Sequence, residues 1–244
     1  MTDFESSISM PLPQLSREQI HVWTVSLAAS AEVLDHASAI LSEDERGRAD
    51  RLITAVLWRR FVMARARLRQ VLGAYAKIAP ACVSFEYGKH GKPRLVGEDG
   101  ISFNLSHAGD VAMVAVARHR EVGVDIEAAS GKLNFIEIAE QAFSRAECAA
   151  LAALSGGLLC DAFYRIWVRK EAYIKARGDG FSYPTTIFSV THLEGDDDAM
   201  VSDEHDCHSD FDWRVSELCA PDGFHAAVAA SDCDWNVLAI DGAM

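Results

Sequence analysis

The chain has 244 residues, of which 50% are hydrophobic and 24% are charged, and its formal net charge is −13. This composition supports a sizeable buried core, and the length allows more than one small domain. The negative charge disfavours nonspecific binding to nucleic acids or to anionic membranes. The longest apolar runs are far shorter than the roughly 18 residues that a membrane span needs, and the first residues lack the pattern of a secretion signal. We therefore expect a cytoplasmic globular protein with neither nucleic acid nor membrane as a partner.

Strand and helix patterns occur twice along the chain, at a spacing of about 100 residues. In the first half, the alternating segment His21 to Leu27 predicts a strand. The sequence Ser42-Glu-Asp-Glu45 predicts a capping box, so that Ser42 should begin a helix. A long amphipathic helix and three strands are expected next, over Leu57 to Tyr75, Val83 to Tyr87, Ile101 to Leu105 and Val111 to Ala117.

The second half repeats this order. A strand is predicted over Val122 to Glu127, a capping box over Ser144 to Glu147 and a long helix over Ala162 to Arg177. Strands should follow over Thr186 to His192, Phe211 to Glu217 and Phe224 to Ala230. The repeat predicts an α+β fold of two similar lobes, residues 1–119 and 120–244, related by a pseudo-two-fold axis. Each lobe should hold a small, mostly antiparallel sheet packed with helices, and ligands favour the seam between such lobes.

Acidic side chains are concentrated in two motifs of the second half. Asp125 and Glu127 lie two residues apart, on one face of the predicted strand. Glu171 and Lys175 lie four residues apart, on one face of the predicted helix. Because two carboxylates about 4 Å apart repel by roughly 4 kcal/mol at an effective dielectric near 20, the strand face requires a cation. If Glu171 joins these two acids, the site offers only hard oxygen ligands, which favour Mg²⁺ and disfavour zinc.

Each acidic motif also has a simpler interpretation. Asp125 and Glu127 are compatible with a solvated strand end, and Glu171 with Lys175 is compatible with a weak surface ion pair. The corresponding strand of the first half carries Thr24 and Ser26 in place of the two acids. We therefore expect one metal site per chain.

A positive segment stands out in this acidic protein. Between positions 46 and 69 lie eight arginines, at 46, 48, 51, 59, 60, 65, 67 and 69. The segment could receive phosphates or an acidic partner, or it could be an ordinary arginine-rich helix surface.

Neither the cysteines nor the remaining histidines form a recognisable metal or disulfide pattern. The six cysteines lack a Cys-x-x-Cys pair, which is typical of reduced thiols. Residues 194–212 are acidic, contain no lysine or arginine and predict a solvated loop between strands. His205, Cys207 and His208 in this stretch fit no standard metal spacing.

Five motifs occur in a distinctive order along residues 40 to 192. They are Gly91-Lys-Pro93, Phe103-Asn-Leu-Ser-His-Ala-Gly109, Gly123-Val-Asp-Ile-Glu127, Phe143-Ser-Arg-Ala-Glu147 and Trp167-Val-Arg-Lys-Glu-Ala-Tyr-Ile-Lys175. In this order and spacing the chain resembles the Sfp-like, pseudo-dimeric phosphopantetheinyl transferases. The tryptophan before Lys170-Glu-Ala172 resembles the W/KEA subgroup of that family.

The resemblance implies a reaction. The phosphopantetheine arm of coenzyme A would be transferred to a serine hydroxyl of an apo acyl, peptidyl or aryl carrier protein, with release of adenosine 3',5'-bisphosphate. The carrier and its pathway stay open, and the pseudo-dimer predicts a monomer.

The resemblance also assigns residues. It implies Mg²⁺, with Mn²⁺ able to substitute, bound by Asp125, Glu127 and Glu171. It implies catalysis by Glu171, Lys175 and Glu127, with Glu171, Glu127 or a metal-bound water as the general base. Contacts to coenzyme A are expected from Arg48, Arg51, Lys92, Ser106, His107 and Lys175. Among these, His107 is expected at the 3'-phosphate, and Arg59 and Arg60 are weaker candidates.

Two other functions use the same residues. A Mg²⁺-dependent phosphodiester or nucleotide hydrolase would need only water as the acceptor. A catalytically silent protein would bind acidic carrier domains through the arginine segment, without metal dependence. The intact set of Asp125, Glu127, Glu171 and Lys175 weighs against the silent protein.

Overall fold

A computed structural model describes residues 12–98, 100–180, 183–190, 198–203 and 212–242. The first-half elements are β1 (Gln19–Ser26), α1 (Ala31–Ala39), α2 (Glu43–Ala49), α3 (Ala55–Ala76), β2 (Phe85–Tyr87), β3 (Pro93–Leu95), β4 (Ile101–Ala108) and β5 (Val111–Arg118). The helices of the second half and its first strand are β6 (Val122–Ala128), α4 (Phe135–Ala142), α5 (Arg145–Ala152) and α6 (Gly156–Arg177). Its remaining strands are β7 (Phe188–Ser189), β8 (Asp198–Met200), β9 (Ser202–Asp203), β10 (Trp213–Glu217), β11 (Phe224–Ser231) and β12 (Asn236–Gly242).

Three strands of each four-stranded sheet follow the same order. One sheet has the order β12-β1-β5-β4, and the other has the order β6-β11-β10-β8. In the first lobe β5 pairs antiparallel with β1 on one side and with β4 on the other. In the second lobe β11 pairs in the same way with β6 and β10. The predicted α+β fold of two similar lobes is therefore confirmed.

Both predicted capping boxes are present. The Glu45 carboxylate accepts a hydrogen bond from the Ser42 amide at 3.0 Å, and the Glu147 carboxylate accepts one from the Ser144 amide at 2.9 Å. These bonds satisfy amide groups that a helix start otherwise leaves unpaired. They fix the beginnings of α2 and α5.

No helix within the described ranges combines the length and the apolar character that crossing a membrane requires.

The glutamate of each capping box is also buried against a cation from the long helix of its lobe. Glu45 accepts from Arg69 at 2.6 Å, and Glu147 is paired with Lys170 at 2.8 Å. Arg69 and Lys170 both occupy the fifteenth position of a 22-residue helix. The internal repeat therefore extends from the order of elements to a specific buried ion pair.

The arginine segment is divided between the interior and the surface. Arg65 and Arg69 bind Glu45, and Arg67 donates to Gln70. Arg48 and Arg51 are exposed. The interpretation as an ordinary helix surface is therefore wrong for Arg67 and Arg69, which are buried in the first lobe. Phosphate or partner binding by the exposed arginines stays a prediction.

Strand β12 joins the two halves of the chain. It runs parallel to β1, with Gln19 opposite Asn236 and Val25 opposite Gly242. The sequence analysis did not predict this strand. The boundary at residues 119 and 120 stays a prediction, and the first sheet takes one of its four strands from the second half.

Other elements differ from their predictions in extent. The strand expected from Val83 begins at Phe85, and the strand expected from Thr186 is reduced, in its described part, to β7 after a 3₁₀ turn at Thr185–Ile187. Within the acidic stretch, Asp198–Met200 and Ser202–Asp203 form β8 and β9, so the prediction of a loop is wrong there. His205, Cys207 and His208 lie outside the described residues.

Three apolar clusters stabilise the fold. One packs the first sheet against α1 and α3, and one packs the second sheet against α4, α5 and α6. The third lies between the lobes, where Ile20 and Val22 of β1 meet Val122 and Val124 of β6. Since side chains alternate along a strand, the positions of Gly123 and Asp125 on β6 face α6 instead. This alternation aims Asp125 toward the long helix.

Candidate active site

Two edge strands bring the predicted site together. β4 and β6 each end a sheet, so each presents unpaired backbone groups toward the other lobe. The Asn104 side-chain oxygen accepts from the Val124 amide at 3.0 Å, and the Ser106 hydroxyl accepts from the Ile126 amide at 3.4 Å. These side chains close the edge of β6 and place Ser106 beside the acidic residues.

Asp125 is the centre of the arrangement. Its Oδ1 accepts from Ser106 at 2.9 Å and from the Lys175 ammonium at 2.5 Å. Its Oδ2 is buried and has no hydrogen-bond partner within the described part of the chain. A buried carboxylate oxygen without a partner loses hydration without compensation, which costs about 1–3 kcal/mol or more for a charged group. Asp125 therefore has one oxygen ready for a cation.

Lys175 binds Asp125 rather than forming the surface pair with Glu171 that was the simpler interpretation. Its ammonium also donates to Ser106 at 2.9 Å, so one cation links α6, β4 and β6. The helix and both edge strands thus contribute to one charged cluster.

Gly123 allows α6 to approach β6 this closely. A Cβ at this position would lie 2.2 Å from the Ala172 carbonyl oxygen and 2.3 Å from the Ala176 amide nitrogen. Both contacts are with helix backbone, which cannot move away as a flexible side chain can. The spacing between the acids of β6 and the side chains of α6 depends on this glycine.

We expect Gly123→Ala to displace α6 and to lower both stability and activity. Overpacking of this kind costs about 1–3 kcal/mol, and more where only backbone can yield. Urea denaturation would measure the loss. Gly47→Ala is a matched control, because a Cβ at Gly47 in α2 meets nothing within 4 Å. Equal stability of the two variants would contradict the packing role of Gly123.

The two glutamates share an electrostatic environment. Burial and the negative charge of Asp125 raise the pKa of Glu127, although Lys175 and a hydrogen bond from Trp167 oppose the shift. Burial and Asp125 likewise raise the pKa of Glu171, with Lys175 opposing and Glu127 adding to the effect. Both glutamates are therefore influenced by Asp125 and Lys175, as expected of acids that converge on one site.

The fit of these acids to a metal ion can be judged from their chemistry. Among the residues that the structure describes, no three His, Cys, Asp or Glu side chains already form a metal-binding group. The unpartnered Asp125 oxygen and the raised pKa values of Glu127 and Glu171 nevertheless indicate excess negative charge that a hard cation would relieve. The donor set fits Mg²⁺.

A cavity of about 250 Å³ adjoins Glu171 and Lys175 and takes its walls from both lobes. Its lining residues are His90, Gly91, Lys92, Pro93, Asn104, Glu171, Ile174, Lys175, Gly178 and Gly180. A larger cavity of about 330 Å³ lies at the other end of β4, around Ile101 and His119, and contains none of the three acids. The smaller cavity is the one that belongs to the site.

Lys92 lines the cavity, but its ammonium is already engaged. It donates to Glu121 at 2.7 Å and to the Ala176 carbonyl oxygen at 2.5 Å. Burial lowers the pKa of Lys92, and the charge of Glu121 opposes that shift. In this arrangement Lys92 fastens the lobes to each other, and its contact to coenzyme A stays a prediction.

The remaining predicted ligands lie toward the rim. His107 follows Ser106 at the end of β4 and is exposed. Partial burial and the charges of Lys175 and Arg60 lower the pKa of His107. Arg48 stacks over the Tyr87 ring at 4.9 Å, and Arg51 is exposed. The structure thus brings Ser106 and Lys175 to the acids, places His107 within the influence of Lys175, and leaves both arginines on the surface.

Comparison with known proteins identifies the family. Residues 25–119 match the family model described as "4'-phosphopantetheinyl transferase, N-terminal", and residues 121–229 match that of the 4'-phosphopantetheinyl transferase superfamily. The chain is 33% identical over 225 residues to 4'-phosphopantetheinyl transferase HetI of Nostoc sp. strain PCC 7120, covering 91% of each chain. The chain belongs to the 4'-phosphopantetheinyl transferase family. Two further relatives are Sfp of Bacillus subtilis strain 168, 28% identical over 84% of this chain and 89% of Sfp, and AcpT of Escherichia coli K12, 34% identical over 54% of this chain and 65% of AcpT.

The structure adds residues whose contributions to this transferase the sequence motifs did not reveal. Trp167 served only to indicate the subgroup, yet its side chain donates to Glu127. Asn104 lines the cavity and binds the backbone of β6. Both residues belong to motifs found in the sequence, but the motifs do not indicate that Trp167 binds Glu127 or that Asn104 binds Val124.

Proposed function

We propose that this transferase moves the phosphopantetheine arm of coenzyme A to a serine hydroxyl of an apo acyl, peptidyl or aryl carrier protein, releasing adenosine 3',5'-bisphosphate. One observation carries the proposal. Asp125, with its buried unpartnered oxygen, lies with Lys175 beside the cavity that both lobes line. Negative and positive groups are thereby held together where a pyrophosphate would have to bind.

The cavity supports coenzyme A as the donor. The ammonium of Lys175 can pair with a phosphate oxygen, because charge-assisted bonds to phosphate are among the stronger hydrogen bonds. The glycines at positions 91, 178 and 180 keep part of the lining free of side chains. The pyrophosphate would lie near Lys175, and the 3'-phosphate would lie toward His107.

Residues of this chain can be assigned to each step of the transfer. The carrier serine attacks the phosphorus that bears the pantetheine arm, and its proton passes to a carboxylate oxygen of Glu171. The bond between this phosphorus and the bridging oxygen breaks, and that oxygen leaves with adenosine 3',5'-bisphosphate and its electron pair. Lys175 stabilises the charge that develops on the phosphates. Glu127, held by Trp167, adds to the acidic set.

Asp125, Glu127 and Glu171 would hold Mg²⁺, with Mn²⁺ able to replace it. The bound ion would neutralise pyrophosphate oxygens and favour displacement at phosphorus. A monomer acting in the cytoplasm, as the sequence suggests, stays a prediction.

Mass spectrometry of intact carrier proteins tests the function. Apo acyl, peptidyl and aryl carriers would be incubated with coenzyme A and Mg²⁺, with and without EDTA. We expect the mass of one carrier class to increase by one phosphopantetheine group, and EDTA to prevent the increase. Hydrolysis of coenzyme A without any modified carrier would instead support the hydrolase alternative.

His107→Ala is expected to weaken coenzyme A binding while leaving kcat at saturation unchanged. Only the protonated imidazole adds a positive charge to its hydrogen bond with the 3'-phosphate. The lowered pKa of His107 means that this form is lost at a lower pH than for an ordinary histidine. The KM for coenzyme A should therefore rise about 10-fold near pH 6 and less near pH 8. A KM equal to that of the wild type at both pH values would contradict the assignment.

A further inference from the structure

Lys92 lies between two cavities. It lines the cavity of about 250 Å³ at the candidate active site, and together with Pro93 it also lines the cavity of about 330 Å³ at the other end of β4. Glu121, which accepts a hydrogen bond from its ammonium, lines the larger cavity. The ammonium is therefore bound to an acid of the larger cavity, although Lys92 also borders the cavity of Glu171 and Lys175.

Different groups hold the stem of Lys92 and its ammonium. A Cβ placed on Gly178 would lie 2.9 Å from Cδ of Lys92 and 3.6 Å from its Cβ, so the stem lies against a glycine of the active-site cavity. The ammonium donates to the Ala176 carbonyl oxygen, in the last turn of α6, and to Glu121. A lysine ammonium has three N–H donors on a flexible stem. It can therefore exchange Glu121 for another acceptor while the stem stays in place.

A second cation is available to Glu121. Its Oε2 lies 2.7 Å from the Lys92 ammonium, and its Oε1 lies 3.7 Å from a guanidinium nitrogen of Arg94. The Arg94 side chain is 75% exposed, compared with 14% for Lys92, so Arg94 can move toward the carboxylate with little repacking. Glu121 thereby keeps a partner when Lys92 turns away from it.

A phosphate group would compete with Glu121 for Lys92. Phosphate oxygens together carry more negative charge than one carboxylate, and they form charge-assisted bonds with ammonium groups. In the proposed function, coenzyme A brings such a group into the cavity that Lys92 and Lys175 both line. Because the bond from Lys92 to Glu121 must first be broken, the apparent affinity for coenzyme A is lower than it would be with a released lysine.

We propose that Glu121 holds the ammonium of Lys92 away from the active-site cavity until coenzyme A binds, and that Arg94 then replaces Lys92 at Glu121. The inference rests on the proposed function. It adds two positioning residues, Glu121 and Arg94, which lie outside the motifs found in the sequence and act on coenzyme A through Lys92.

Calorimetry with coenzyme A tests this exchange. Glu121→Gln keeps the size of the side chain and removes its charge, so Lys92 should be released more easily and the Kd should fall by about 5-fold. Arg94→Gln, at a mostly exposed position, should fold normally and raise the Kd by about 3-fold, because Glu121 then loses its replacement partner. Adding Arg94→Gln to Glu121→Gln should have no further effect, since a neutral side chain at position 121 needs no cation.

Lys92→Met provides the background that separates the exchange from a general effect of charge. Without the ammonium, Glu121→Gln has no group to release, so the two-variant combination should bind coenzyme A no more tightly than Lys92→Met alone. Glu98→Gln is the matched control, because Glu98 lines the same larger cavity and its change removes an equal charge. Its Kd should equal that of the wild type.

Three results would overturn the exchange while leaving the proposed function intact. They are a Glu121→Gln variant that binds coenzyme A no more tightly than the wild type, a tightening by Glu121→Gln that persists in the Lys92→Met background, and an Arg94→Gln variant with the Kd of the wild type. A wild type that binds no coenzyme A would overturn the proposed function, and this inference with it.

Discussion

Glu171→Gln is expected to lower kcat by about 10³-fold while coenzyme A still binds. The amide preserves the shape of the side chain but cannot accept the serine proton, and it removes one charge from the acids that surround Asp125. Coenzyme A is proposed to bind through Lys175 and His107 as well, so its Kd should change by less than about 10-fold. Stopped-assay mass spectrometry of the carrier gives kcat, and calorimetry with coenzyme A gives the Kd.

Glu140→Gln provides the control for this change. Glu140 is exposed on α4, and its conversion removes the same charge from a surface position. Its kcat should match that of the wild type. A Glu171→Gln enzyme that retains kcat within about 10-fold of the wild type would exclude Glu171 as the group that accepts the proton.

Lys170→Met is expected to destabilise the protein by about 3–5 kcal/mol, because it removes one partner of a buried ion pair. The side chains of Lys170 and Glu147 are 2% and 0% exposed. The ammonium also donates to the carbonyl oxygens of Thr185 at 2.8 Å and of Phe188 at 2.6 Å. Without Lys170, the Glu147 carboxylate stays buried with only backbone amides as donors. Urea denaturation followed by circular dichroism would measure the loss.

A second substitution, at Glu147, distinguishes the effect of an uncompensated buried charge from a general loss of packing. Adding Glu147→Gln to Lys170→Met removes the uncompensated charge, so the double variant should be more stable than Lys170→Met alone. Lys89→Met, at an exposed position, should change stability by no more than about 0.5 kcal/mol. A double variant less stable than the single one would contradict the ion-pair explanation.

Local patterns predicted much of the architecture. The capping serines Ser42 and Ser144 begin helices as expected, because their hydrogen bonds involve residues only three positions away. The alternation in Val122 to Glu127 likewise predicted a strand with both acids on one face, whereas the edge position of β6 and its packing against α6 come from the structure. Such features follow from the geometry of one helix or one strand and need no knowledge of the rest of the chain.

Partners across the fold could not be predicted in the same way. Lys170 and Glu171 are neighbours in sequence, but successive residues of a helix point about 100° apart. Lys170 therefore enters the core of the second lobe while Glu171 faces the site. Lys92 was expected to contact coenzyme A, yet its nearest acid, Glu121, comes from a connection that no local pattern pairs with it. These contacts depend on how the lobes meet.

Strand β12 has a consequence for the order in which this protein is completed. β1 is synthesised more than 200 residues before β12, since β1 begins at Gln19 and β12 begins at Asn236. The earliest sheet to emerge thus waits for one of the latest segments to be translated. The sheet of the first half therefore lacks one edge strand until β12 has been synthesised.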